Sequence, residues 1–276
     1  MTAEMSGEST EMNANLQELQ SEIVERGLGL HVRLADSDED RARVKSLDDV
    51  AFGQHHGISL EELGEIHDHG AVVMFEDEQG NVVGETQILF EQIPALGRYK
   101  LAKNEAYAYG TAVDPEKQGQ GIGRLANESQ KVLARAKGKD TLVATVRVEN
   151  YPSLRLRMKN GFRIAGYDPE FYGPLEEGGA RAVIKSTTES VELADKDLGI
   201  EFHQVSVFDG QHFDQETYLV PVQFGDLVDV DANEKVRALL TAGYEGVWII
   251  REESKESEQQ SRGYLVFRRR QETITE

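Results

Sequence analysis

The amino-acid sequence predicts an α/β or α+β fold, in which a sheet is flanked by helices. Apolar runs at residues 71–75 and 142–148 have the composition of buried strands. Residues 122–136 place apolar side chains at intervals of three and four, as an amphipathic helix does. Ser37 and Ser59 are each followed three residues later by an acid, which is the signature of a helix start.

Strands and helices alternate along the first two thirds of the chain. Residues 1 to about 14 are polar and lack apolar periodicity, which predicts disorder, and Leu16, Leu19 and Ile23 then have the spacing of a short helix. After the two capped helices, the strongest helix begins near Gly121, and a short basic helix over 153–160 is ended by Gly161. Strands are expected at 28–34, 71–75, 82–90, 107–113, 142–148, 162–167 and 182–184.

The C-terminal part has its own series of elements. Strands are expected at 200–208, 218–224, 244–250 and 264–267, and a helix starting at Asp231 and ending at Gly243 separates the second from the third. Here a helix is followed by a glycine, an aromatic residue and a strand. The same order occurs at Asn160-Gly161-Phe162 and the strand after it. This pattern is typical either of a partial duplication or of an ordinary helix-to-strand connection. The last six residues are expected to fray.

Composition narrows the function classes. The chain has 30 basic and 50 acidic residues in 276, a net charge of −20, so it should repel nucleic acid and anionic membranes. The same charge would attract a cationic substrate such as a polyamine, or would serve solubility alone. The absence of cysteine excludes disulfides, thiolate metal sites and cysteine nucleophiles. No signal peptide or apolar stretch of about 20 residues is present, so a cytoplasmic protein is expected.

Three glycines, at positions 119, 121 and 123, lie where a strand ending at Val113 passes into a helix. Glycines at such a junction leave backbone N–H groups pointing outward at the positive end of the helix dipole, which predicts an anion site. The pattern lacks the Gly-Lys-Ser/Thr of a Walker loop and the spacing of a dinucleotide fingerprint.

The stretch from Val113 to Gly123 resembles the acyl-CoA-binding signature of the GCN5-related N-acetyltransferases (GNAT), with Gln118, Gly121 and Gly123 on its core positions. Asn150, Ser153, Lys159, Gly161 and Phe162 resemble a later helix of that family. The resemblance covers about residues 28–188. It implies a GNAT-like mixed, mostly antiparallel twisted sheet in this domain, preceded by a flexible segment at 1–27 and followed by an α+β extension at 189–276.

The resemblance also implies a site. Acetyl-CoA, as co-substrate, would lie between the strand ending at Val113 and the strand ending at Val148, with the primary amine of a small molecule or peptide attacking its thioester directly. Asn150, with Ser153 beside it, would bind the pantetheine arm. The backbone residues implied to bind the pantetheine and the pyrophosphate are Thr111, Ala112, Val113, Gln118, Gly119, Gln120, Gly121, Ile122, Gly123 and Arg124.

The catalytic side chains depart from the family pattern. Arg157 stands where the family often has a tyrosine acid, and is either a cation that stabilises the leaving thiolate or a surface residue. Tyr109 stands where a carboxylate base is often found; it either handles a proton or packs in the core, with core packing favoured. Glu85 is another base candidate, and Glu105 a poorer one. A non-catalytic acyl-CoA-binding module is therefore the alternative to an N-acetyltransferase.

Two histidine pairs raise the question of a metal. His55-His56 and His67-x-His69 lie near Glu65 and Asp68, but neither pair shares a helical face, so no metal site is predicted. A surface cluster is favoured, and substrate contact is the second interpretation. Residues 189–276 would either wall the acceptor pocket or form a homodimer contact.

Overall fold

A computed structural model describes residues 7–53, 57–96, 98–190, 192–193, 200, 205–252 and 261–271. By its internal contacts the chain divides into two compact units, Met1–Val143 and Ala144–Glu276. The division falls inside a strand rather than near residue 189. The boundaries expected from the resemblance, at 28–188 and 189–276, stay a prediction.

The first unit is a sheet flanked by four helices in the described part of the chain. The strands follow the order β1-β2-β3-β4-β5, with antiparallel pairs up to β4 and a parallel pair between β4 and β5. The expected mixed, mostly antiparallel sheet is therefore confirmed. Its elements are α1 Gly7–Glu25, β1 Leu30–Leu34, α2 Asp38–Phe52, α3 Leu60–His69, β2 Gly70–Asp77, β3 Val82–Leu89, β4 Glu105–Val113, α4 Ile122–Ala136 and β5 Thr141–Val146, which continues into the second unit.

The N-terminal helix is longer than expected. α1 begins at Gly7, so the prediction of disorder to about residue 14 is wrong from that residue onward. Met12, Leu16, Leu19 and Ile23 are all buried, and the helix packs on β1 and α4. The polar residues between them hid this apolar stripe, and contact with the sheet, rather than helix propensity, stabilises the helix.

Both predicted helix starts are confirmed. The Ser37 side chain accepts a hydrogen bond from the Asp40 N–H at the start of α2. At the start of α3, Ser59 and Glu62 exchange hydrogen bonds in a complete capping box. Such caps satisfy N–H groups that lack a partner in the first turn of a helix.

The helices of this unit cover both faces of the sheet. Thr86 of β3 accepts a hydrogen bond from Gln130 of α4, at 2.6 Å. Glu85, the neighbouring residue, points to the other face because side chains alternate along a strand. That face packs against α2, so β3 is buried on both sides.

The second unit continues the strand order as β5-β7-β6-β10-β11-β9-β8. Of the strand expected at 200–208, only β8 is found among the described residues, and the tail after residue 271 lies outside them. Asp229, not Asp231, caps the last helix, since its side chain accepts from the Ala232 N–H. The elements are α5 Tyr151–Lys159, β6 Arg163–Asp168, β7 Arg181–Thr187, β8 Ser206–Val207, β9 Thr217–Phe224, α6 Val230–Thr241, β10 Tyr244–Arg251 and β11 Ser261–Arg269.

Two series of elements in this unit have the same order. β5-α5-β6-β7 and β9-α6-β10-β11 each run strand, helix, strand, strand. The glycines that end the two helices, Gly161 and Gly243, have φ of 86° and 85°. The partial duplication stays a prediction, which this shared order and geometry support.

One glycine of β3 sets how closely α4 approaches the sheet. A Cβ added at Gly84 would lie 2.4 Å from Cγ2 of Ile122, the first residue of α4. We expect Gly84→Ala to displace this end of α4 and to lower the free energy of unfolding by about 1–3 kcal/mol, measured by urea unfolding. Gly64→Ala is the control: this residue lies in α3 with open space around it, and alanine should add about 1 kcal/mol. Equal effects of the two changes would contradict the close approach.

Candidate functional site

The second half of β4 has an open edge. Its parallel pairing with β5 ends at Tyr107 and Val143, and no described strand pairs with β4 on that side from residue 108 to Val113. This edge includes Thr111 and Ala112. An unpaired strand edge presents N–H and C=O groups to which an extended ligand can bond.

A β-bulge interrupts β4 on its other edge. Gln87 of β3 pairs with Gly110 and Ile88 pairs with Ala108, which leaves Tyr109 as the extra residue. Tyr107 is buried, but Tyr109 is partly exposed, and its hydroxyl donates to Glu62 Oε1 at 3.4 Å. The preference for core packing at Tyr109 is therefore wrong, because the bulge re-aims the side chain toward α3.

The glycine junction after β4 has the geometry of an anion site. Gly119 and Gly121 have φ of 77° and 89°, a backbone region that side chains other than glycine rarely adopt. Gly121 is the N-cap of α4, and no atom lies within 4 Å of a Cβ built at either glycine. Residues 118–121 are exposed, and none of the described residues accepts a hydrogen bond from the N–H groups of 118–123. These six donors, from Gln118, Gly119, Gln120, Gly121, Ile122 and Gly123, surround the positive end of α4.

Arg124 follows these donors but is already paired. Its Nη2 lies 2.9 Å from Oε1 of Glu22 in α1, and the same oxygen lies 2.8 Å from Arg26 Nη2. The family resemblance implies that the backbone of Arg124 also binds the pyrophosphate, but its N–H already donates to the Gly121 carbonyl oxygen at 3.0 Å. The carboxylate partner of its side chain offsets the unfavourable position of a cation at a helix N-terminus.

Buried carboxyl groups lie on the face of the sheet that packs on α2. Glu85 is fully buried, and burial, followed by the nearby charge of Asp48, raises the pKa of Glu85 well above its usual range. Gln87 donates to Glu85 Oε2, while Oε1 has no hydrogen-bond partner among the described residues. Burial also raises the pKa of Asp48, whose carboxylate accepts from the Ile58 N–H.

These contacts sort the base candidates of the first unit. Burial favours the protonated form of Glu85, which limits its use as a base at neutral pH. Glu105 already accepts from the Tyr99 hydroxyl at 2.7 Å and from the Ala102 N–H at 3.0 Å. Tyr109, with Glu62 as its acceptor, is the candidate that reaches the surface.

In the second unit, the two polar atoms of the Asn150 side chain have different roles. Its Oδ1 accepts from the Ser153 N–H at 3.1 Å, which caps α5. The residue is exposed, and no described residue accepts from its Nδ2. An amide N–H₂ donor at this position is available to a ligand carbonyl.

Arg157 is not a surface residue. Only 7% of it is exposed, and its guanidinium lies over the ring of Phe162, 5.2 Å from the centroid. The surface interpretation is therefore wrong. A role in stabilising a thiolate stays a prediction.

The described residues contain no group of three or more acids and histidines arranged to hold a metal ion. His67 and His69 are exposed, and their Nδ1 atoms lie 3.4 Å from Asp68 and Glu91 respectively. His55 and His56 lie outside the described residues. Within the same limits, no helix has the length and apolar character to cross a bilayer.

Sequence reasoning missed Glu22 and Asp48. Asp48 carries a readable signal, because it lies four residues after Val44 and therefore on the apolar side of α2. Glu22 carries none, since it is 102 residues from Arg124. Glu62 was recognised only as a capping residue.

Comparison with known proteins finds one family model that matches part of the chain, and several solved structures that are similar to it. The model of the acetyltransferase (GNAT) family matches residues 39–162. No curated protein sequence matches the chain. Among solved structures, the Escherichia coli ribosomal-protein-S18-alanine N-acetyltransferase is similar at 17% identity, over 60% of this chain and 97% of that one, with a TM-score of 0.47.

Two further structures are similar to the same extent. An N-acetyltransferase from Staphylococcus aureus Mu50 has 20% identity over 60% of this chain and 99% of its own, with a TM-score of 0.44. A Salmonella typhimurium protein assigned as an acetyltransferase, solved with its cofactor acetyl-CoA, has 18% identity over 60% and 98%, with a TM-score of 0.46. Residues 39–162, which contain the open edge of β4 and the glycine junction, therefore match the model of the acetyltransferase (GNAT) family.

Proposed function

We propose that this protein is an N-acetyltransferase that moves the acetyl group of acetyl-CoA to a primary amine of a small molecule or peptide. One observation carries the proposal: six backbone N–H donors that have no acceptor among the described residues follow a strand with an open edge. The match of residues 39–162 to the GNAT family model supports it, because members of that family use acetyl-CoA and act on amines.

Each part of acetyl-CoA has a counterpart among these residues. The pyrophosphate would accept from the N–H groups of 118–123, where the dipole of α4 favours negative charge. The pantetheine arm would pair with the β4 edge at 111–113, and the Asn150 Nδ2 would donate to one of its carbonyl groups. Bound acetyl-CoA would supply a thioester activated for attack by an amine.

Transfer forms a C–N bond and breaks the C–S bond, so one proton leaves the amine and the thiolate needs a counter-charge or a proton. We assign removal of the amine proton to the Tyr109 hydroxyl, which is partly exposed and hydrogen-bonded to Glu62. Backbone N–H near Val113 would stabilise the oxyanion. The positive charge of Arg157 would stabilise the thiolate. Glu85, whose protonated form burial favours, would hold a proton.

Arg157 and Tyr109 replace the tyrosine acid and the carboxylate base that the family often has. A non-catalytic acyl-CoA-binding module is therefore the second candidate function. Acetyl-CoA binding without turnover of any amine would favour this module. A cytoplasmic location and a homodimer contact through residues 189–276 remain proposals from the sequence.

The glycine junction can be tested by calorimetric titration with acetyl-CoA. We expect micromolar binding by the unmodified protein and a loss of at least tenfold in Gly121→Glu, because a carboxylate would occupy the anion site. Gly138→Glu is the matched control: Gly138 follows the other end of α4, has φ of 67° and is equally open. Equal binding by both variants would contradict the assignment. Amines would then be screened by thiol release, which this cysteine-free protein does not disturb.

The amide of Asn150 can be separated from its capping role. Asn150→Asp keeps an N-cap acceptor, so the free energy of unfolding should change by less than about 0.5 kcal/mol. It removes the Nδ2 donor and adds a negative charge, so acetyl-CoA affinity should fall about tenfold or more. Asn150→Ala should lose both affinity and about 1 kcal/mol of stability. Unchanged affinity in Asn150→Asp would exclude a contact between this amide and the ligand.

The burial of Glu85 predicts a pH dependence of stability. Because its pKa is raised in the folded protein, its stabilising effect is complete below the unfolded pKa of about 4.5 and is lost as the pH rises through the folded pKa. Glu85→Gln does not titrate. Its stability relative to the unmodified protein should therefore be higher at pH 8 than at pH 5, as measured by urea unfolding at both values. A difference that does not vary with pH would show that Glu85 is not held protonated.

A further inference from the structure

The second unit contains a cavity where several strand ends converge. Arg147 follows the end of β5, Phe224 ends β9, Arg251 ends β10 and Ser261 begins β11. These residues line a cavity of about 370 Å³, together with Asn150, Tyr151 and Pro152 at the start of α5. Small-molecule sites are typically concave, with apolar walls and a few converging polar groups.

The two arginines of this cavity have unused hydrogen-bonding capacity. The Nε atom of Arg147 is buried and has no hydrogen-bond acceptor; Glu149 Oε2 lies 3.4 Å away, outside hydrogen-bond geometry. Arg251 lies over the Tyr151 ring, 5.5 Å from its centroid, and no carboxylate among the described residues forms an ion pair with it.

Two acids, Glu149 and Asp226, also line the cavity, and the carboxylate of Glu149 is engaged in hydrogen bonds. Glu149 Oε1 accepts from the Asp229 N–H at 2.9 Å and from Asn233 Nδ2 at 2.6 Å, and Glu149 is buried. The backbone oxygen of Asp226 accepts from Arg147 Nη2 at 3.0 Å, and Asp226 is exposed. The Arg147 Nε and the Arg251 guanidinium are therefore the cationic donors of the cavity that lack a hydrogen-bond acceptor among the described residues.

The walls suit a ligand with a planar or apolar body. The rings of Tyr151 and Phe224 lie 5.1 Å apart and tilted by 54°. Guanidinium groups bind planar carboxylates through paired hydrogen bonds. An aromatic wall beside a guanidinium therefore selects a small molecule with a carboxylate on an apolar group.

We propose that this cavity binds the carboxylate of the acceptor, so that the substrate class is a carboxylate-bearing amine of amino-acid type rather than a polyamine. The inference rests on the proposed function, because one residue, Asn150, is assigned to both the acceptor cavity and the acetyl-CoA site. Asn150 lines the cavity and is also the residue assigned to the pantetheine arm.

The test compares amines that differ only in the carboxylate. L-Phenylalanine, L-phenylalaninamide and spermidine would be titrated into the full-length protein by calorimetry, and their acetylation followed by thiol release. We expect L-phenylalanine to bind at least tenfold more tightly than its amide. Arg251→Gln should abolish this difference, and Arg251→Lys should restore only part of it, because lysine cannot bind both oxygens in a fork.

Arg237→Gln is the control, since Arg237 is an exposed arginine of α6 that does not line the cavity. Equal affinity for the acid and the amide, a preference for spermidine, or an unchanged preference in Arg251→Gln would each overturn the inference. Titration of the same samples with acetyl-CoA separates the two proposals. Acetyl-CoA binding without carboxylate preference refutes only this inference, whereas carboxylate binding without acetyl-CoA binding refutes the proposed transferase and leaves a carboxylate site.

Discussion

Six backbone N–H groups between β4 and α4 have no acceptor among the described residues, and much of the first unit is arranged around them. The chain on both sides of these donors is held in place by packing. β3 and β4 hold one side through their pairing, which runs to Gly84 and Val113. On the other side, the absence of a side chain at Gly84 lets Ile122 start α4 close to the sheet.

Charge around this junction is balanced locally. Glu22 of α1 neutralises Arg124, so the attraction for an anion comes from the backbone and the dipole of α4 rather than from a side-chain cation. This suits a protein with a net charge of −20. The buried pair Glu85 and Asp48 lies on the opposite face of the sheet from α4, where burial favours their neutral forms.

In the second unit, Glu149 has a comparable organising role. Its backbone oxygen accepts from Gly225, and its carboxylate accepts from Asp229 and Asn233. One buried residue thus joins the loop after β5 to the loop before α6. Because a buried carboxylate without partners is costly, these hydrogen bonds fix both loops and shape the arginine-lined cavity beside them.

Features that depend on neighbours within about four residues could be predicted from the sequence. These features are the caps at Ser37 and Ser59, the apolar face of α4 and the glycine junction, each confirmed at its predicted place. The disorder predicted for residues 7–14 and the core position of Tyr109 failed, because packing of α1 and a bulge opposite Gln87 override local pattern. Three features come from tertiary packing instead: Glu22 contacts Arg124, Glu85 is buried, and the pairing of β4 with β5 ends at Tyr107. Such contacts join residues far apart in the chain, and no local periodicity records them.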